Sequence, residues 1–182
     1  MKKISTLFVA ILLALSLTCG ALAAGVTFTT KYFTLDLPEN WTVDTEKLED
    51  LSEQGIELLG YFSGPKDIDL TVSACLIYYD DLKDISLWNA GEQDIEAYKD
   101  SILEDFADEQ PEFLEIVTVN NVPFVLVRCT DEDGTYVYAD TITNGYSIQF
   151  QVYLADEKNF HPITDEAIEQ FKTILATFKP VG

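Results

Sequence analysis

Alternation with a period of two runs through the middle of the chain. Tyr136, Tyr138, Asp140 and Ile142 fall on one side of Thr135–Thr143, with Val137, Ala139 and Thr141 on the other. Residues 145–153 alternate in the same way: Tyr146, Ile148, Phe150 and Val152 oppose Ser147, Gln149 and Gln151. Successive side chains of a strand point to opposite faces, so both runs read as extended backbone. Asn144-Gly145 stands between them. It suits a type I′ hairpin turn, whose two central residues both take positive φ. Upstream, Val122–Thr130 is a denser apolar run, expected of a strand covered on both faces. Asp131-Glu132-Asp133-Gly134 turns the chain after it, and Asn120-Asn121 before it, following a strand over 113–119. Connections this short make an antiparallel meander, because parallel neighbours need long crossovers.

The flanking segments complete the pattern. Residues 26–30 and 32–37 read as an opening strand pair or one bent strand, ended by Pro38. Residues 45–54 form a short amphipathic segment with Leu48 and Leu51 three apart, capped by Thr45 and ended by Gly55. Strands follow over 56–62 and 70–79, separated by the Ser63-Gly64-Pro65 turn. Residues 91–107 are the first convincing helix: Ile95, Tyr98, Ile102 and Phe106 make one stripe, joined by Leu103. Thr164 or Asp165 caps a last helix with Ile168, Phe171, Ile174, Leu175 and Phe178 inward, and Pro180 stops it. Six or seven strands and two helices must then share one core. Residues 70–79 and 122–130 are apolar on both faces, so helices are expected on both sides of the sheet. The fold class is α+β, an α–β–α sandwich on an antiparallel sheet.

The first 23 residues stand outside that pattern. Lys2 and Lys3 precede an almost wholly apolar run over 7–17, and Ala21-Leu22-Ala23 puts small residues where a signal peptidase reads. This is a secretory leader, too short for a membrane anchor, with cleavage expected after Ala23. Cys19 raises a lipoprotein alternative, which the position of Leu17 disfavours: a lipobox wants leucine three residues before the cysteine, where Ser16 stands. Residues 24–182 then form one domain, in a secreted or otherwise extracytoplasmic protein (periplasm or envelope). With two of the eleven basic residues in the leader, the remainder carries nine against 32 acidic ones, a net charge of −23. Such a charge repels nucleic acid and anionic membrane, and admits cationic partners or metal ions. A solvated acidic surface is the simpler account of it. Two cysteines remain, Cys75 and Cys129, both in strand segments. Export permits a disulfide, and a buried pair of free thiols is equally natural.

One stretch resembles a known family. Phe33-Thr34-Leu35-Asp36-Leu37-Pro38-Glu39-Asn40-Trp41 is similar to the opening of the PsbP-like superfamily, which includes DcrB-like bacterial envelope proteins. The order of long helix, meander with the Gly145-Tyr146 turn and closing helix is similar too. The resemblance spans nearly the whole of 24–182 and implies an antiparallel sheet between helical layers. It also implies a non-catalytic binding or assembly module, and carries over no catalytic motif.

Catalytic groups are sparse. His161, the only histidine, precedes Pro162 in a polar loop, and no Gly-x-Ser-x-Gly is present. A dyad of His161 with Cys129 or Cys75 lacks a local signature. Asp131–Gly134 starts like a calcium loop, but Tyr136 and Ile142 occupy the places of its glycine and closing glutamate. Asp80, Asp81 and Asp84 form a second acidic cluster. One histidine and two separated cysteines do not make a zinc site. No cofactor or metal ligand set is therefore expected, and no catalytic residue. Arg128, the sole arginine, sits among apolar strand residues; it would hold an acidic group or make a structural ion pair. Tyr78, Tyr79, Tyr136, Tyr138, Tyr146 and Tyr153 are strand tyrosines, suited to recognition or to packing. The expected partner surface comprises Arg128, Tyr136, Tyr138 and Tyr146. The expected function is a non-enzymatic binding or assembly module for a protein or small ligand. The alternatives are a secreted hydrolase with an unrecognised carboxylate site and a calcium-dependent surface protein.

Overall fold

A computed structural model describes residues 24–46, 48–65, 69–131, 134–155 and 160–181. The leader and Cys19 lie outside these residues. The period-two runs are strands: β7 (Val122–Thr130), β8 (Thr135–Thr143) and β9 (Tyr146–Ala155), following β6 (Glu112–Val119). Asn144 and Gly145 take φ of 50° and 78°, and Asn120 and Asn121 take 50° and 63°. Both hairpins thus use two left-handed residues, whose twist matches that of the flanking strands. A Cβ on Gly145 would lie 2.8 Å from Tyr79 O and 2.9 Å from Lys83 Cα. Gly145→Ala is therefore expected to cost about 1–3 kcal/mol in urea unfolding, while Asn121→Gly stays within about 1 kcal/mol of the parent.

Earlier strands are β1 (Ala24–Thr29), β2 (Phe33–Pro38), β3 (Thr42–Asp44), β4 (Ile56–Ser63) and β5 (Leu70–Tyr78). The main sheet is ordered β3-β4-β5-β9-β8-β7-β6, antiparallel throughout. A two-residue strand, β10 (Phe160–His161), adds to β9. The opening pair does not join this sheet. β1 and β2 form a separate three-stranded sheet with β11 (Lys179–Pro180), in which β2 is central. The helix-like segment expected over 45–54 is corrected: its described residues hold only a 3-10 turn at Ser52–Gln54, ended by Gly55 at φ 76°. Two leucines three apart give too little apolar stripe to offset helix nucleation.

Two helices cover the sheet: α1 (Glu92–Asp105) and α2 (Asp165–Leu175). Thr164 caps α2 by accepting the Ala167 N–H at 3.2 Å. One face of the sheet buries Val72, Ala74, Phe124, Leu126, Ile148 and Phe150 under α2 and under Phe33 and Leu35 of the small sheet. The other buries Val125, Val127, Cys129 and Ile142 against Tyr98 and Ile102 of α1. β7 is therefore buried on both sides, as its unbroken apolar run requires. β5 is not, because α1 lies over β7 and β8 and leaves the second face open above β4, β5 and β9. Leu37-Pro38-Glu39-Asn40-Trp41 is a turn in which the Trp41 N–H reaches Pro38 O at 3.3 Å and Asn40 takes φ 72°.

Candidate functional site

Strand register assembles the open half-face from residues far apart in sequence. One row across the sheet reads Leu58, Cys75, Gln149, Asp140. The next reads Tyr61, Ser73, Gln151, Tyr138. A bulge between Leu58 and Gly60 in β4 shifts the alternation by one residue, so Leu58 and Tyr61 face the same side. These rows, Asp140 excepted, floor a hollow of about 340 Å³, walled by Leu51, Ile56, Tyr136 and Tyr153. Beyond Gln149, which lines both, a second hollow of about 610 Å³ runs along α1 past Asp105, Phe106, Tyr79 and Asp81.

Asp140 lines the second hollow, opposite Gln149 in register, and is 1% exposed. Its Oδ1 accepts from the Tyr98 hydroxyl at 2.5 Å; its Oδ2 accepts from Ser147 Oγ at 2.9 Å and Gln149 Nε2 at 3.0 Å. Burial pushes its pKa up to about 6 against the pull of those three donors. A buried carboxylate survives only with such partners. Here they also stitch α1 to β8 and β9. Gln149 Oε1 in turn accepts from Cys75 Sγ at 3.9 Å. Burial pushes both the Cys75 and Cys129 thiols up to about 12, so neither is a ready thiolate. Both cysteines are free. β5 and β7 are three strand spacings apart in the sheet order, about 14 Å, twice the reach of a disulfide.

Tyr136 and Tyr138 stand on this face, their rings 5.3 Å apart at 82°. Phe106 of α1's C-terminal cap stacks on Tyr138 at 4.5 Å and 13°. The Tyr136 hydroxyl meets Glu109 Oε2 at 2.6 Å and Asp131 Oδ2 at 3.1 Å. Arg128 is elsewhere, on the α2 side, bonding Glu112 and Asp165 at 3.0 Å each and tying β6 to the start of α2. With both carboxylates exposed, those pairs contribute about 1 kcal/mol at most. Tyr146 also lies on the α2 side, against Tyr32 and Tyr78. The four residues expected to share a surface are thus divided between two faces. Tyr61, Cys75, Gln149 and Gln151 were missed, because strand order and the β4 bulge bring them together. The run of polar residues on one side of β9 was their only sequence signal.

Of the other expectations, Asp131 Oδ1 accepts the Gly134 N–H at 2.9 Å, which is hairpin chemistry; Glu132 and Asp133 lie outside the described residues. Asp80 and Asp81 begin a 3-10 turn, and His161 in β10 lines neither hollow. Among the described residues no helix is long and apolar enough to cross a membrane.

Fold and site together define an antiparallel α–β–α sandwich with part of one sheet face left open. The chain is similar to cyanobacterial PsbP (CyanoP) from Synechocystis sp. PCC 6803, at 13% identity and a TM-score of 0.49, over 90% of this chain and 98% of that one. It is also similar to a protein from Bacteroides thetaiotaomicron VPI-5482, at 10% identity and a TM-score of 0.48, over 87% of this chain and 49% of that one. The chain thus spans about half the length of the Bacteroides protein. Neither likeness bears on activity or partners. No family model and no curated protein matches the sequence.

Proposed function

We propose that the chain is an extracytoplasmic, non-enzymatic binding module whose ligand seats in the open hollow above β4, β5, β9 and β8. The hollow itself carries this reading: tyrosines wall it, and Ser73, Gln149 and Gln151 supply hydrogen bonds from its floor. Such a mix of ring surface and a few fixed polar groups suits recognition. Export rests on Lys2, Lys3, the apolar run over 7–17 and Ala21-Leu22-Ala23. The non-enzymatic reading is supported by how the reactive groups are engaged. Asp140 already accepts three hydrogen bonds, and a glycosidase needs two carboxyls facing each other across the substrate.

The test is to titrate the full chain with oligosaccharides, amino acids, amines and short peptides while following amide resonances. Perturbations are expected to cluster at Ser73, Gln149, Gln151 and Tyr138. Binders that cluster at Arg128 or Tyr146 instead, or turnover of any panel member, would overturn the proposal.

A further inference from the structure

Gln149 lines both hollows, and the direction of its amide is set by what stands on either side. Its register partners are Cys75 on β5 and Asp140 on β8, so the side chain lies in a row between a thiol and a carboxylate. An ionised carboxylate only accepts hydrogen bonds, whereas an amide donates from one end and accepts at the other. Asp140 therefore decides which way the amide points. Nε2 donates to Asp140 Oδ2 at 3.0 Å, and Oε1 is left on the other side, towards Cys75 Sγ at 3.9 Å. Asp140 lines the second hollow and Cys75 the first. The carbonyl end of the amide is thus the end on the side of the first hollow. A thiol is a weak donor and a carbonyl oxygen has two lone pairs, so Oε1 keeps acceptor capacity for a ligand. The other two donors to Asp140, Tyr98 and Ser147, are hydroxyls. A hydroxyl changes from donor to acceptor by rotating one proton, but an amide has to turn over.

Resting on the binding reading above, we infer that Asp140 is a positioning residue for the first hollow: its carboxylate orients Gln149 so that the floor offers a carbonyl oxygen to an O–H or N–H of the ligand, and protonation of Asp140 releases that orientation. A neutral Asp140 has a hydrogen of its own to give. The amide then gains a second arrangement, with Oε1 accepting from Asp140 and Nε2 turned towards Cys75, and the floor becomes a donor. The groups around Asp140 leave this change to Asp140 itself. Tyr98 and Asp105 face it from α1, Cys75 lies beyond Gln149 on β5, and Tyr79 and Asp81 line the same hollow; its neighbour on β7, Val125, carries no charge. Among the described residues lining that hollow there is no lysine, arginine or histidine, so hydrogen bonds and not an ion pair hold the carboxylate. Burial pushes Tyr98, Tyr79 and the Cys75 thiol upward, away from neutral pH. Burial likewise pushes Asp140 up to about 6, with Asp105 adding to it, which places the release within a mildly acidic range.

Nitrogen–proton correlation spectra of the full chain test this on the Gln149 side-chain amide, assigned by its loss in Gln149→Met. Between about pH 4.5 and about pH 7.5 its two protons are expected to shift with a midpoint near about pH 6 and to exchange faster with water at the acid end. Gln151, a row away opposite Tyr138, is the internal control and should stay still. In Asp140→Asn the Gln149 shift should vanish; where that variant does not fold, the contrast between Gln149 and Gln151 in the parent decides. Phenol and anisole, fragments that differ by one O–H donor, test the floor itself. At about pH 7.5 phenol is expected to bind about three- to tenfold more tightly than anisole, a gap that one hydrogen bond supplies and that closes at about pH 4.5. A Gln149 amide that does not titrate, or that titrates equally in Asp140→Asn, overturns the inference. Equal binding of the two fragments at both pH values overturns it as well and leaves the binding reading standing. If neither fragment, nor any of the sugars, amino acids, amines and peptides, perturbs the hollow, both fail.

Discussion

Phe178→Ala is expected to destabilise the fold by about 3–5 kcal/mol. Phe178 is fully buried, and its ring meets Phe33 at 5.1 Å, Phe124 at 4.9 Å and Trp88 at 6.4 Å. Those partners belong to the small sheet, the main sheet and the segment before α1. Its carbonyl also accepts from Asn120 Nδ2 at 2.6 Å, at the β6–β7 hairpin. One ring therefore fills the space where three parts of the chain converge, and its loss leaves a cavity that none of them can close alone. Urea unfolding gives the measurement. Phe113→Ala, at a 39% exposed site on the edge strand, should cost less than about 1 kcal/mol. Similar costs at the two sites would contradict the packing. Should Phe178→Ala fail to fold, Phe178→Leu provides a milder measure at about 1–3 kcal/mol.

Asp140 is expected to give stability an unusual pH slope. Its folded pKa is about 6 because burial disfavours the charge, while an unfolded aspartate titrates near about 3.9. Between these values the folded chain holds a proton that the unfolded chain has released. Stability therefore falls as pH rises through this window. The contribution is fully present below about pH 4 and lost above about pH 6, on the order of 3 kcal/mol across the window. Asp36 slopes the other way. The hydrogen bond from Thr27 and then that from Lys179 hold its carboxyl low, so its contribution is lost as pH falls. Comparing the parent with Asp140→Asn removes that background, since Asp36 titrates in both. The unfolding free energy of the parent minus that of the variant should decline by about 3 kcal/mol from pH 4 to pH 7. A flat difference would show that Asp140 is not buried as described.

The sandwich was legible because its strands announce themselves locally. β7 and β8 run over the very residues whose apolar patterns mark them, and the Asn-Asn and Asn-Gly turns supply the left-handed residues their hairpins need. Pairings distant in sequence were not legible. That β5 lies beside β9, and that β11 returns to β2, are facts of topology that leave little trace in composition. The site suffers most from this. Gln149 and Cys75 are cross-strand partners 74 residues apart, and no spacing rule connects them. Asp140 could have been singled out. A charged residue on the same face as Tyr138 and Ile142, in a strand inside the meander, has to find donors. Tyr98, on the apolar stripe of the helix over 91–107, was a natural candidate.

The position of β2 at the centre of its small sheet has a consequence for how the chain is made. A ribosome delivers β1 and β2 early, yet β2 gains its second neighbour only when residues 179–180 arrive. Phe33, which stacks on Phe178, also waits for it. Until those residues are made, the nascent polypeptide carries an unpaired strand edge and an unfilled core. The small sheet is completed only by this return, in which later residues close over a strand made well before them.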